Sequence, residues 1–167
     1  KNAKVSDMLR FGMVMQMSYD MDQIRYFGRG PIENYSDRKA SERIGIYKQT
    51  ADNQFFPYIR PQENGTKQDV KWWQQTNASG TGLEIHGELG DLSMSALHYA
   101  IADLDDGLEK GQRHSYQVKK SPFTNLCIDK EQTGVGGTNS WGEWPLERYR
   151  LHYGDRTYEF LLRPIVK

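Results

Sequence analysis

"LRFGMVMQM", Leu9 to Met17, alternates as an extended chain does. Leu9, Phe11, Met13, Met15 and Met17 share one face, while Arg10, Gly12 and Gln16 lie on the other. Successive side chains of a strand point to opposite faces, so this is the period of a half-buried β-strand. The same period returns downstream. "GLEIHGEL" sets Leu83, Ile85, Gly87 and Leu89 against Glu84, His86 and Glu88. "LSMSALHY" opens with Leu92, Met94 and Ala96 in register, and "RTYEFLL" aligns Tyr158, Phe160 and Leu162. Residues 23–27, 55–60, 69–76, 114–119, 125–130 and 147–153 read as further strands. Gly90–Asp91 between Leu89 and Leu92 is a two-residue hairpin signal, and Gly154–Asp155 repeats it before the last strand. Only "AIADLDDGLEKG" departs: Ile101, Leu104 and Leu108 at i, i+3 and i+7, with Gly111 behind them, predict one short helix of two or three turns. Nothing supplies a crossover helix after each strand. The expected class is therefore all-β, an antiparallel sandwich.

Composition agrees and narrows the function classes. The 167 residues suit one domain with a real core. Lys+Arg and Asp+Glu number 22 each, so the formal charge is zero, which gives no electrostatic case for nucleic acid or an anionic membrane. No apolar run approaches the roughly 18 residues of a membrane span. One cysteine, Cys127, excludes an internal disulfide and reads as a small buried hydrophobe in a strand. Aromatic residues make up 12% of a very polar chain, a mixture suited to β-structure and to sugar binding.

The usual catalytic patterns are absent. His86, His98, His114 and His152 have no partner at ligand spacing, so they read as exposed strand residues and no metal is expected. "FGRGPIE" and "GVGGTNS" lack the features of a phosphate cradle and read as turns. There is no Gly-x-Ser-x-Gly elbow. Glu33, Asp37 and Glu63 lie in loops that could meet as a carboxylate pair. Their plainer role is to bond backbone amides and fix turns, with Asp37 and Arg38 pinning a loop as a local ion pair. "PIEN" at Pro31 and "PQEN" at Pro61 look alike but make no repeat.

Sugar recognition fits better: a flat aromatic with polar neighbours on a rigid β scaffold. "VKWWQQT" puts Trp72 and Trp73 on opposite faces of a strand, one to the core and one outside. "GVGGTNSWGEW", Gly134 to Trp144, carries Trp141 on a glycine-rich loop, with Trp144 as the internal anchor of its far end.

Four blocks, in order, carry a resemblance. "RYFGRGPIENYSDRKASERIGIY", "YIRPQENGTKQDVKWWQQT", "GQRHSYQV" and "GVGGTNSWG" resemble the C-terminal, small-chain domain of bacterial β-galactosidases of glycoside hydrolase family 2. The resemblance implies a galactose mutarotase-like β-supersandwich, with residues 1–167 forming its C-terminal part. It implies a β-galactoside substrate such as lactose. It further implies that the catalytic glutamates lie in a partner (β/α)8 domain, that magnesium and sodium or calcium bind in other domains, and that the parent is a homo-oligomer. The implied compartment is bacterial cytoplasm or periplasm. By position in the Gly-Gly-x-x-Ser-Trp block, Trp141 is the platform for the sugar leaving group, with Asn139 and Ser140 beside it. The family's usual Gly-Gly-Asp is Gly136-Gly137-Thr138 here. Two other readings stay open: a stand-alone carbohydrate-binding module, and a mutarotase-like epimerase using Glu63 and His114.

Overall fold

The computed structural model describes residues 7–105, 113–136, 139 and 142–166. Among these residues nine strands form two antiparallel sheets. The first has the order β1 (Arg10–Ser18), β8 (Phe123–Gln132), β7 (Leu92–Leu97), β4 (Lys67–Val70). The second runs β3 (Arg43–Thr50), β2 (Gln23–Gly30), β5 (Trp72–Thr76), β6 (Gly82–Gly87), β9 (Phe160–Ile165). The expected all-β sandwich is what forms.

The alternating faces meet in the core. Ile24, Tyr26, Trp73 and Ile85 come from the second sheet, and Leu92, Met94, Ala96, Leu126 and Ile128 from the first. Met13, Met15 and Met17 pack against them, as the period of β1 requires, but Leu9 lies outside the strand and is exposed. Trp73 and Tyr26 stack at 5.2 Å and neither touches solvent. Burying each removes about 150–250 Å2 from water, on the order of 4–6 kcal/mol before entropy is charged. The Trp73 indole N–H donates to Gln75 at 2.8 Å, so the buried ring leaves no orphaned donor. Trp72 stays on the outer face beneath the Arg25 guanidinium. Cys127 is buried and free, as expected.

Several expected elements differ. Residues 69–76 are two strands in different sheets, because Asp69 takes φ 57° and turns the chain across the sandwich. Gly90–Asp91 likewise carries the chain from β6 to β7 between sheets, so it is not a hairpin; Gly90 supplies φ 105° there. Residues 55–60 form no strand. The Asn64 side chain accepts from Phe56 N at 2.8 Å and donates to Phe56 O at 2.7 Å, replacing a ladder partner in a segment that contains Pro57 and is followed by Pro61. Residues 114–119 contain a 3-10 turn, Ser115–Gln117, closed by reciprocal bonds between His114 and Gln117. Residues 147–153 are also irregular, since His152 and Arg150 are drawn onto Asp7 and Glu147, and the Gly154–Asp155 hairpin does not form. Among the described residues there are two short helices rather than one. The first, α1 (Ala51–Gln54), is capped by Thr50; the second, α2 (Ile101–Leu104), starts where the helix is expected but ends after one turn, since Asp105 is extended (φ -117°, ψ 100°), while Leu108 and Gly111 lie outside the described residues.

In the first sheet the central strands β7 and β8 are buried on both faces, whereas the outward residues of the edge strand β1 are exposed. Every residue of β7 is buried. Its second face carries Ser95, Leu97, Asn125 and Cys127, and residues 62–64 and α2 close over it, leaving only about 10 Å3 between them. This covering layer positions the candidate site.

Candidate functional site

The first of the two look-alike tetrapeptides docks on the segment that follows the second. Gly65 N donates to Glu33 Oε2 at 2.8 Å, Asn34 N donates to Thr66 O at 2.8 Å, and Gln68 N donates to Asn34 Oδ1 at 2.9 Å. Asn34 and Asn64 are thereby buried, each with its amide spent on backbone.

Glu33 is 5% exposed and receives four donors. Besides Gly65 N, these are Tyr35 Oη at 3.2 Å, Arg38 at 3.0 Å and, in a very short contact, Tyr58 Oη. Burial, reinforced by the Glu33 carboxylate, pushes the Tyr35 and Tyr58 hydroxyls above the usual phenol range. Both phenols thus stay donors. Arg38 is consumed by Glu33 and Tyr58, so the expected Asp37–Arg38 pair does not form.

Asp37 does something else. Its carboxylate accepts from Val135 N at 3.1 Å and Gly136 N at 2.9 Å. Two motifs about a hundred residues apart in sequence therefore meet at this carboxylate. Gly134 makes the approach possible: a Cβ there would lie 2.6 Å from Asp37 Cγ and Oδ2. On the other side Gly134 N donates to Tyr149 O at 2.7 Å. The near end of the "GVGGTNSWGEW" loop is thus clamped from both sides.

The described part of that loop turns at Gly136 (φ 79°) and Gly142 (φ 88°), left-handed conformations that glycine adopts without strain. Asn139 Oδ1 accepts from Glu143 N at 3.4 Å, a weak closure of the span between them. Trp141 and Ser140 lie outside the described residues. Trp144 is not the buried anchor expected: it is half-exposed, with the Arg150 guanidinium 4.9 Å from its ring centroid.

Glu63 clasps Arg10 through both oxygens, at 2.7 and 2.9 Å, and Arg10 reaches Asp129 at 3.0 Å. Asp129 is pushed up to about 6 by burial, which outweighs the Arg10 charge. Burial opposes the Arg10 charge, but the Asp129 and Glu63 carboxylates outweigh it and Arg10 stays charged. His114 Nδ1 faces Ile59 O at 2.9 Å. No hydrogen bond joins Glu63 to His114 among the described residues. The other histidines are equally tied. His98, far from exposed, is 1% accessible, stacked on Tyr19 and bonded to Asp52. No group of three His, Cys, Asp or Glu among the described residues could hold a metal.

Glu33, Tyr58, Arg60, Glu63, Gln132 and the loop base at residues 134–136 line one cavity of about 610 Å3. Reading the sequence missed Asp37 as the clamp and Arg10 as the partner of Glu63. The one local signal was Gly134, a glycine that opens a loop but has an ordinary φ, which marks a close approach.

The Beta galactosidase small chain family model matches residues 1–162. A beta-galactosidase of Priestia megaterium is 36% identical over 156 residues, covering 92% of this chain and 14% of that protein. One from Lactobacillus delbrueckii subsp. bulgaricus is 35% identical over 133 residues, 80% of this chain and 12% of its own length. Beta-galactosidase BgaC of Bifidobacterium adolescentis is 31% identical over 153 residues, 90% and 14% respectively. The chain thus spans about one-seventh of the relatives it matches. With these matches spread over the motifs whose packing is described above, the chain belongs to the β-galactosidase small-chain family.

Proposed function

We propose that this chain works as the terminal domain of a longer retaining β-galactosidase of glycoside hydrolase family 2. In this reading the parent hydrolyses terminal β-galactosides such as lactose. A neighbouring (β/α)8 domain brings the two catalytic glutamates and the metal ions, and this chain brings Trp141 as a platform for the leaving sugar. The observation that carries the reading is the Asp37 clamp on Val135 and Gly136. It fixes the base of the loop five residues before Trp141. An indole on a fixed base offers binding area at little entropic cost, since only two side-chain torsions remain to be ordered. Asn139 and Ser140 serve the turn around it.

The Glu63 and His114 epimerase reading draws no support from the bonding, because each side chain is spent on a structural partner. The test is Trp141→Ala in the full-length protein. Loss of about 1 kcal/mol of stacking should raise KM for lactose about fivefold and weaken sugar acceptors comparably. An unchanged KM and acceptor profile would overturn the platform role. Measurable anomerisation of galactose, abolished by Glu63→Gln, would favour the epimerase instead.

A further inference from the structure

The cavity beside the loop base has the makings of a site of its own. Its volume, about 610 Å3, lies within the roughly 300–1,000 Å3 of small-molecule pockets. Gln132 lines it and is only 7% exposed, yet neither polar atom of its carboxamide has a hydrogen-bond partner. A buried, unpaired amide is costly, and native folds retain few of them. Arg60 lines the same cavity, is exposed, and has no ion-pair or hydrogen-bond partner among the described residues. Of the three carboxylates on the wall, Glu33 is paired with Arg38 and Glu63 with Arg10, and the third is Asp105. Tyr58, Leu9 and Val135 add apolar surface.

We propose that this cavity is a second saccharide site, taking a neutral sugar in addition to the one expected at Trp141. A carboxamide can give and accept one hydrogen bond each to adjacent hydroxyls, and a guanidinium fork can donate to two. Two arginine-paired carboxylates, a third in Asp105 and a single uncommitted cation suit a neutral polyol better than a phosphate, which calls for clustered cations or amides. Tyr58 and Val135 face the C–H surface of the ring. Gly136, on the wall, precedes Trp141 by five residues, a reach of at most about 18 Å. The inference goes beyond the platform role and takes from it only the choice of lactose as probe.

The experiment is hydrogen–deuterium exchange on the full-length protein titrated with lactose, and separately with inorganic phosphate. Lactose should protect peptides covering residues 56–63 and 132–136 in a saturable way. Half-saturation should weaken tenfold or more in Arg60→Ala and in Gln132→Leu, and should persist in Trp141→Ala. Arg60 is exposed and Gln132 makes no side-chain bond, so both variants should fold; unchanged exchange across β7 and β8 reads that out in the same data. Absence of protection, protection undiminished in both pocket variants, loss in Trp141→Ala, or protection by phosphate alone would each overturn the site. Failure of the β-galactosidase reading would appear separately, as absence of galactoside hydrolysis by the same sample.

Discussion

Asp37→Ala should release the base of the Trp141 loop without disturbing the sandwich. The carboxylate holds two backbone amides, Val135 N at 3.1 Å and Gly136 N at 2.9 Å. Hydrogen bonds to a charged group contribute about 1.5–3 kcal/mol each. Asp37 is only partly buried, so the low end applies, about 3 kcal/mol for the pair. Lost locally, that corresponds to roughly a hundredfold faster exchange of the two amides. Asp37→Asn keeps an acceptor oxygen and should cost about half as much, near a tenfold change. Gly134→Ala reaches the same end from the other side, because its Cβ would displace the carboxylate. The two changes break one contact, so in a double-mutant cycle they should be strongly non-additive. Residue-resolved exchange is the assay, with the core amides of β7 and β8 as internal reference. Exchange at Val135 and Gly136 within threefold of the unaltered protein would refute the clamp. So would an equal rise throughout β8, which would mean that Asp37 supports the fold and not the loop.

Three further outcomes follow from the packing and the charges. Trp73→Ala empties the site of the largest fully buried side chain and should cost about 3–5 kcal/mol, read as a fall in denaturant midpoint at constant slope. The Asp129 carboxyl rises from 3.8 to about 6, so burial favours its neutral form; the resulting stability, about 3 kcal/mol, is full below pH 4 and lost as pH climbs through 6. Asp129→Asn should therefore flatten the stability profile between pH 4 and 6, and an unaltered profile would contradict it. His152 is raised by its bonds to Asp7 and Glu147, so what it contributes is present below pH 6.5 and lost as pH rises through its folded value. Exchange of Met8 N, which donates to Leu151 O beside that bridge, should quicken with rising pH more than intrinsic exchange does, and His152→Gln should remove the excess.

The period of two is a local property, which is why strands β1, β6, β7 and β9 could be read from the chain. What joins them is not local. Nothing near Gly90–Asp91 says that the strands on either side enter different sheets, and a tight turn looks the same in both cases. The missing strands at residues 55–60 and 114–119 share a cause. In each, a side chain several residues away takes the backbone bonds that a ladder would use, Asn64 on Phe56 and Gln117 on His114. Alternation in side-chain polarity cannot register that competition.

The candidate site was half legible for the same reason. Glu33, Asp37, Glu63 and the glycine loop stood out by residue type, but their roles depend on pairings across 30 to 100 residues of chain. The polar second face of the first sheet explains why those pairings exist. A strand face carrying Ser95, Asn125 and Asp129 gains little from apolar cover, so the layer above it must supply polar partners. Arg10 does this for Asp129 and is clasped in turn by Glu63, which holds the second Pro-x-Glu-Asn segment over the sheet where Gly65, just after it, meets Glu33 of the first. Glu33 and Asp37 follow in the same loop: Glu33 closes the junction and Asp37 is left facing the amides of Val135 and Gly136. The clamp on the Trp141 loop is thus a consequence of how a polar sheet face is buried. Weakening that burial at Arg10, for instance with Arg10→Met, should loosen residues 134–136 even though Arg10 touches none of them, and a loop unaffected by that change would separate the two layers.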